Sequence, residues 1–469
     1  LISLWNGTFI LKKIKRKNGK MKTYDVVIIG GGPAGVTCAL SAKNTYPDKK
    51  IVLIRKEPKP MIPCGIPYVF YTLNDVSDNI LPDTSLIANQ IEIINDEAIR
   101  RTDHKIALAN GDEVEFEKLV IATGSKAVMP KIDGTDKENV FLVRKDKEYL
   151  KKLKTCIQES GKILILGGGY IGVEVADELL KAKKNVTVVE MMDTMLATMD
   201  EEFGNKIKEI IVKEGGKVIT GKSVQKILGN AKVSAVELND GSKIDCDLLI
   251  VSCGYKPNLD LAEKLSLTFE EGKGILVDAY LRTSQKDIFA IGDCAAKYDF
   301  FTGEFSNIML ASTAMAEGRI VGSNLYSIKV IRQYAGVLGS FSTKIGDTAF
   351  AVCGIIERRA KARLLEYTIG TAKAVDRHPG KLPGASEVTV KLLFSSYSHT
   401  LMGAQIMGGN SVGEMINIMS VMILNKMTDI DINNLQIGTH PLLTASPIAY
   451  PIINATVDAI KKWNKLQFA

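Results

Sequence analysis

A glycine-rich turn between an apolar strand and a helix occurs twice in this chain, and that duplication restricts its possible folds more than any other feature. Val26-Val27-Ile28-Ile29 runs into Gly30-Gly31-Gly32-Pro33-Ala34-Gly35, and Ile163-Leu164-Ile165-Leu166 runs into Gly167-Gly168-Gly169-Tyr170-Ile171-Gly172. Each turn is followed by a helical pattern and a second apolar strand, over 50–54 and 185–189. Two such βαβ units predict two parallel-sheet nucleotide domains. The first glycine of each (Gly30, Gly167) permits the tight turn. The second (Gly32, Gly169) lets a pyrophosphate approach the backbone. The third (Gly35, Gly172) lets helix pack on strand, while the helix N-terminus attracts phosphate charge.

Glu190 ends the second strand of the second unit, where a carboxylate hydrogen-bonds both hydroxyls of an adenosine ribose. It would repel a 2′-phosphate, and Met191 and Met192 supply no arginine for one, so NADH is the expected nucleotide. The matching strand of the first unit ends Ile54-Arg55-Lys56-Glu57. There the acid is either displaced to Glu57 or absent. Beyond about residue 340 the character changes: 387–394 reads as a strand and 413–424 as a methionine-rich helix, suited to a core or a subunit interface.

A chain of 469 residues needs more than one core. Its net charge of +7 would suit nucleic-acid or membrane binding, but the first twenty residues hold six basic side chains and no acid, leaving about +1 for 21–469. Neither a nucleic-acid motif nor a stretch long and apolar enough to span a bilayer is present in the sequence, so neither partner is expected. Folding is expected to begin near Met21, with 1–20 a disordered basic leader or an artefact of start-site choice; a short membrane-surface anchor is the alternative. The seven cysteines show no paired spacing, which argues against a disulfide framework and a zinc site and suits a reducing cytoplasm.

Further signatures accumulate. Residues 119–125 form an apolar strand ending in Ala122-Thr123-Gly124, residues 248–258 echo it through Gly254, and a third strand ends in Gly292-Asp293. Over 21–469 this order of motifs resembles the FAD- and NAD(P)-dependent pyridine nucleotide–disulfide oxidoreductases. The resemblance implies two Rossmann-like domains and a C-terminal α+β dimerisation domain in an α/β protein. The expected divisions are 21–140 and 265–337 for the two parts of the FAD domain, 141–264 for the NAD domain and 338–469 for the dimerisation domain. It implies that Gly30, Gly32 and Gly35 hold the FAD pyrophosphate, Asp293 a ribitol hydroxyl, and Gly167, Gly169, Gly172 and Glu190 the NADH. Further cofactor contacts are implied at Pro33, Ala34, Glu57, Ala98, Ala122, Thr123, Gly124, Tyr170, Ile171, Gly254 and Gly292.

Within that group, Met61-Ile62-Pro63-Cys64-Gly65-Ile66-Pro67-Tyr68 resembles the single-cysteine branch, which holds coenzyme A-disulfide reductases, persulfide reductases, and NADH oxidases and peroxidases. The two-cysteine branch carries a partner thiol that is missing here. Gly65 and Pro67 predict a helix running through Tyr71, and a thiolate at its N-terminus would have a lowered pKa. Cys294 reads as a buried, inert residue.

The branch's oxidases and peroxidases typically place a histidine in the first glycine turn, where this chain has Pro33; that favours a disulfide or persulfide over oxygen. Lys43 stands where coenzyme A-disulfide reductases have an arginine for the coenzyme's phosphates, and equally suits a surface lysine. Near the C-terminus, Thr439-His440-Pro441 resembles the His-Pro segment that two-cysteine reductases insert into the partner subunit's site, but Ala445 takes the place of the orienting acid. His440 or Tyr450 is then a candidate to protonate a departing thiolate across a dimer interface, and His378 reads as a loop residue.

The expected protein is therefore a cytoplasmic homodimer that passes electrons from NADH through FAD to Cys64. That cysteine would reduce a small disulfide, foremost coenzyme A disulfide, with coenzyme A a possible bound group. The rival readings are an NADH oxidase making peroxide or water, a persulfide or polysulfide reductase, and an electron-transfer flavoprotein serving a protein partner.

Overall fold

The computed structural model describes residues 20–332 and 336–467; of the basic leader expected over 1–20, all but Lys20 lies outside the described residues. The first unit is built from β1 (Met21–Ile29), α1 (Pro33–Thr45), β2 (Ile51–Arg55), α2 (Thr84–Ala88), β3 (Glu92–Asn95), β4 (Ala98–Thr102), β5 (Lys105–Leu108) and β6 (Glu113–Ile121). Its sheet runs β3-β2-β1-β6-β5-β4. The β3-β2-β1-β6 part is parallel, and β5 and β4 fold back antiparallel. The strand Ile288–Ala290 returns from far along the chain to pair with the end of β6. Val26, Val27 and Ile28 are all fully buried, the unbroken apolar run of a strand covered on both faces.

The second unit repeats the design. β7 (Ser125–Ala127), β8 (Val140–Leu142), α3 (Lys147–Glu159), β9 (Lys162–Leu166), α4 (Tyr170–Lys181), β10 (Asn185–Val189), α5 (Glu201–Lys213) and β11 (Lys217–Ile219) follow in order. The all-parallel sheet runs β11-β10-β9, then the strand Leu248–Val251, then β8. β7 and the strand Tyr255–Pro257 make an antiparallel ribbon between the units.

The C-terminal part is a five-stranded antiparallel sheet in the order Ser340–Ile345, Thr348–Gly354, Leu401–Gly408, Glu387–Ser395, Tyr367–Val375. One face packs Ala351, Val390 and Ile406 against Ile416 and Met419 of the helix Val412–Leu424. The other sets Phe350 and Val352 against Phe203 and Ile207 of α5. Alternating residues of one strand thus join two different cores, and the first strand of this sheet is brought onto α4. No described helix is long and apolar enough to cross a membrane.

Candidate active site

The two glycine turns are near-copies. Gly30 and Gly167 have φ of +126° and +108°, a region that L side chains rarely adopt. A Cβ on Gly35 would lie 2.0 Å from the Gly30 carbonyl oxygen, and one on Gly172 would lie 1.9 Å from that of Gly167, so each helix touches its own turn. A Cβ on Gly32 or Gly169, by contrast, would meet nothing within 4 Å. Both open positions are helix N-caps with no side-chain cap, leaving amides free to receive an anion. Pro33 occupies the first helical position of α1, where a missing N–H costs nothing.

The strands that meet these turns carry the remaining predicted groups. Ala122 closes under Gly30, its carbonyl 2.0 Å from that glycine's Cβ position, while Thr123 donates to the Asn258 carbonyl. Gly124 and Gly254 have φ of +69° and +94° over open space. Ala34 is buried against the Gly292 turn, and Ala98 is buried at the start of β4, so only its backbone is available to a ligand. Tyr170 and Ile171 open α4, and the Tyr170 ring stacks on Phe341 at 5.0 Å and 8°. Glu190 accepts hydrogen bonds from the Gly168 and Met192 amides at 2.5 and 2.7 Å, which pins its carboxylate beside the second turn.

Asp293 lies on the short 3-10 turn Gly292–Cys294 and accepts a 2.7 Å bond from Ser125 Oγ. Lys145 Nζ donates to the same Ser125 Oγ at 3.1 Å and lies 3.6 Å from Asp293. Behind this turn Glu317 accepts the Gly292 amide at 2.7 Å, and Lys297 donates to the Gly292 carbonyl at 2.6 Å. Those two are themselves a buried 3.0 Å ion pair. The donor set suits two dinucleotides: two open phosphate cradles at helix N-termini, each with an acid nearby able to accept hydroxyl bonds (Asp293, Glu190).

Cys64 is exposed on a 3-10 turn, Pro63–Gly65. The expected helix through Tyr71 is not formed. A second 3-10 turn, Pro67–Phe70, follows, and Tyr71 stands outside it. Pro63 and Pro67 remove the amides an α-helix needs here. A Cβ on Gly65 would lie 2.0 Å from Asn79 Oδ1, so glycine is required for the Asn79 amide to reach the Ile62 carbonyl at 2.9 Å. The expected lowering of the Cys64 pKa is corrected as well. Although the residue opens to solvent, partial desolvation of its sulfur by the surrounding protein and the negative charge of Glu174 push it up, with Lys145 acting the other way. A three-residue turn has too little aligned dipole to compete.

Glu174, on α4, is held by a 2.8 Å bond from Thr343 Oγ1, and burial pushes it up to about 7. One turn further along α4, the buried Glu178 accepts the Thr72 amide and hydroxyl at 2.7 and 2.8 Å, tying the Cys64 segment to the second unit. Lys145, Glu174, Glu178, Lys297 and Glu317 were absent from the sequence reading. The two acids of α4 could have been noticed as charges one turn apart on the helix face shared with Ile171 and Val175. Nothing in the sequence marks Lys145. Glu174→Gln is expected to speed alkylation of Cys64 by iodoacetamide at pH 8 roughly threefold to tenfold, and Lys145→Met to slow it by a similar factor. The rate is read on the oxidised holoenzyme against pH; equal profiles for all three proteins would refute this electrostatic account.

The structure does not bring every candidate together. Lys43 lies near the C-terminal end of α1, away from the glycine turn, and donates to the Pro47 and Lys49 carbonyls at 2.7 and 3.2 Å. Glu57 is exposed two residues past the end of β2. His440 is exposed, with Leu442 N–H donating to its Nδ1 at 3.3 Å, so Nε2 carries the proton of the neutral ring. Ala445 is buried nearby, and Leu442, Leu443 and Ile448 are exposed. Tyr450 is half-buried, with its pKa raised by burial. His378 is a loop residue whose Nδ1 lies 3.1 Å from the Thr444 carbonyl, buttressing the His440 segment. Cys294 is buried against the Ile121 and Ile291 carbonyls; Cys253 is exposed, but burial and Glu190 push its thiol up to about 11.

Comparison with known proteins agrees with this geometry. The sequence family described as pyridine nucleotide-disulphide oxidoreductase matches residues 24–318, and that family's dimerisation domain matches 340–448. An NADH oxidase of Methanocaldococcus jannaschii is 33% identical over 93% of this chain and 98% of its own length. An NAD(P)H coenzyme A polysulfide/persulfide reductase of Pyrococcus horikoshii is 29% identical over 84% of this chain and 89% of its own. The solved structure of an NAD-dependent persulfide reductase from A. fulgidus superposes with a TM-score of 0.86 at 29% identity, covering 94% of this chain and 84% of the other.

Proposed function

The chain belongs to the pyridine nucleotide-disulphide oxidoreductase family and is an NADH-dependent flavoprotein oxidoreductase; from that premise we propose that Cys64 is its redox centre and that its acceptor is a small disulfide, foremost coenzyme A disulfide. The observation that carries this reading is the exposed thiol of Cys64, the one cysteine of the Met61–Tyr68 segment, set among Lys145, Asp293 and Glu174. No second cysteine lies in the Met61–Tyr68 segment and Cys64 is a free thiol, so in this reading its sulfur partner comes from outside the chain.

Bound FAD supplies the two-electron relay between NADH and the Cys64 sulfur. Gly32, Gly124 and Asp293 would hold it, and Gly169, Gly254 and Glu190 would hold NADH. Cys64 as thiolate attacks one sulfur of the disulfide, forming a mixed disulfide and releasing the first thiol as its anion. Two electrons, originating in NADH, cleave the mixed disulfide; Cys64 returns as thiolate and the second thiol leaves after taking up a proton. Lys145 holds positive charge beside the sulfur and favours its anion. His440, protonated on Nε2, or Tyr450, kept as a phenol by burial, is the candidate proton donor across a subunit interface. The exposed Leu442, Leu443 and Ile448 on the same segment suit burial in a homodimer. Seven unpaired thiols suit a reducing cytoplasm.

A persulfide, such as a coenzyme A persulfide, would meet the same thiolate, and the names of the Pyrococcus and A. fulgidus relatives favour it as the second acceptor. Oxygen is the third, favoured by the name of the M. jannaschii relative. Pro33 at the head of α1 supplies no imidazole for peroxide chemistry. Anaerobic turnover with NADH, comparing coenzyme A disulfide, a coenzyme A persulfide and a small redox protein, then oxygen, is the test. The expected result is a kcat/KM for the disulfide at least tenfold above those for the redox protein and oxygen; dominant turnover with either would overturn the thiol reading.

A further inference from the structure

We infer that the adenosine ribose of FAD is received in this chain by Asp83, held in place by the buried Arg55, instead of by an acid at the end of β2. Superimposing the two units in sequence order makes Arg55 the counterpart of Glu190. Gly30 N–H donates to the Ile54 carbonyl and Gly167 N–H to that of Val189, both at 2.8 Å, and the next residues are Arg55 and Glu190. A Cβ on Gly31 would lie 3.1 Å from Arg55 Cβ, and one on Gly168 would lie 3.1 Å from Glu190 Cβ. The two side chains therefore start from the same place beside the same turn, with opposite charge.

Arg55 is not itself a free anion receptor. Its side chain is 2% exposed and nearly saturated: Nε donates to Asn95 Oδ1 at 3.2 Å, Nη2 to the Pro58 carbonyl at 2.9 Å, and Nη1 and Nη2 to the two Asp83 oxygens at 2.6 and 2.7 Å. Arg55 and Asn95 are register partners at the carboxyl ends of β2 and β3, the edge where parallel sheets bind nucleotides. The bidentate pair holds a carboxylate at the edge of the sheet from which Arg55 projects, and in this proposal that carboxylate takes the part of the strand-end acid. Asp83 stands at the N-cap of α2 yet makes no capping bond, and its side chain keeps 23% of its surface open. A carboxylate accepts about four hydrogen bonds, so two acceptor sites remain for ribose hydroxyls. Arg55 is a positioning residue, and it spends the charge that would otherwise recruit a phosphate there.

The test uses purified holoenzyme and two flavins, FAD and FAD lacking the adenosine 2′-hydroxyl, with exchange followed by flavin fluorescence. The native protein is expected to prefer FAD by about tenfold or more, the scale of a hydrogen bond to a charged group. Asp83→Asn is expected to weaken FAD and to lose most of that preference, while Glu57→Gln keeps it. Asp83→Glu, which retains the charge and the partner for Arg55, is expected to keep part of the preference and serves if Asp83→Asn does not accumulate as folded protein. Absence of preference in the native protein, full preference in both Asp83 variants, or its loss in Glu57→Gln overturns the assignment. None of these readouts depends on which acceptor the enzyme uses.

Discussion

Replacing Cys64 by serine is expected to lower NADH-dependent disulfide reduction at least about a thousandfold, because the step needs a thiolate and no other side chain can supply one. Cys38, Cys246, Cys294 and Cys353 are buried, Cys156 is half-buried on α3 with its thiol pushed up by burial, and Cys253 lies beside Glu190 with its thiol pushed up to about 11. A serine hydroxyl fills nearly the same volume on the Pro63–Gly65 turn, so the glycine turns, the Asp293 turn and Glu178 keep their partners. Reduction of the enzyme by NADH, seen as loss of flavin absorbance in one turnover, should therefore persist in Cys64→Ser. The separation of the two readouts gives the experiment its force. Loss of both would point to collapse of the site, and survival of disulfide turnover would remove Cys64 from the mechanism. Oxygen consumption is an independent arm, since electron transfer to oxygen need not pass through the sulfur.

Two valine substitutions one turn apart on the second unit should have opposite consequences. Gly169→Val places its side chain where nothing lies within 4 Å, and Gly169 has φ of −75° and ψ of −175°, extended backbone open to valine. The fold should not notice, but the new methyl groups occupy the cradle where the NADH pyrophosphate approaches. KM for NADH is expected to rise about a hundredfold with an unchanged melting temperature. Gly172→Val puts a Cβ 1.9 Å from the Gly167 carbonyl oxygen, and backbone cannot yield as a side-chain tip can. It is expected to cost about 3 kcal/mol or more, seen as a lower unfolding temperature before any ligand is added. A destabilised Gly169→Val with normal KM would contradict the assignment of that position as an open cradle.

Much of this enzyme is written in short stretches of sequence because its chemistry depends on backbone geometry. A positive φ at Gly30, an open N-cap at Gly32 and a helix seated on its own turn at Gly35 each demand the absence of a side chain, and absence is easily read. Their repetition over 167–172 and the acid at Glu190 followed from residue type and spacing, and the choice of Cys64 among seven cysteines followed from the resemblance of its segment to the single-cysteine branch. So did the antiparallel strand found at Glu387–Ser395 and the methionine-rich helix found at Val412–Leu424.

The environment of the sulfur was decided elsewhere. Lys145, Glu174 and Asp293 come from sequence positions up to 229 residues from Cys64 and converge only when the strand Ser340–Ile345 lies on α4 and Ile288–Ala290 returns to β6. Their balance of burial and charge, and not the local turn, moves the Cys64 pKa up where a helix-terminus argument expected it to fall. The corner beside Gly31 was likewise out of reach, because an arginine on a strand end reads as a solvated charge until Asp83 is brought against it from 28 residues away. Backbone requirements are local and survive in a linear string; electrostatic fields fall off with distance in space, and only folding sets those distances.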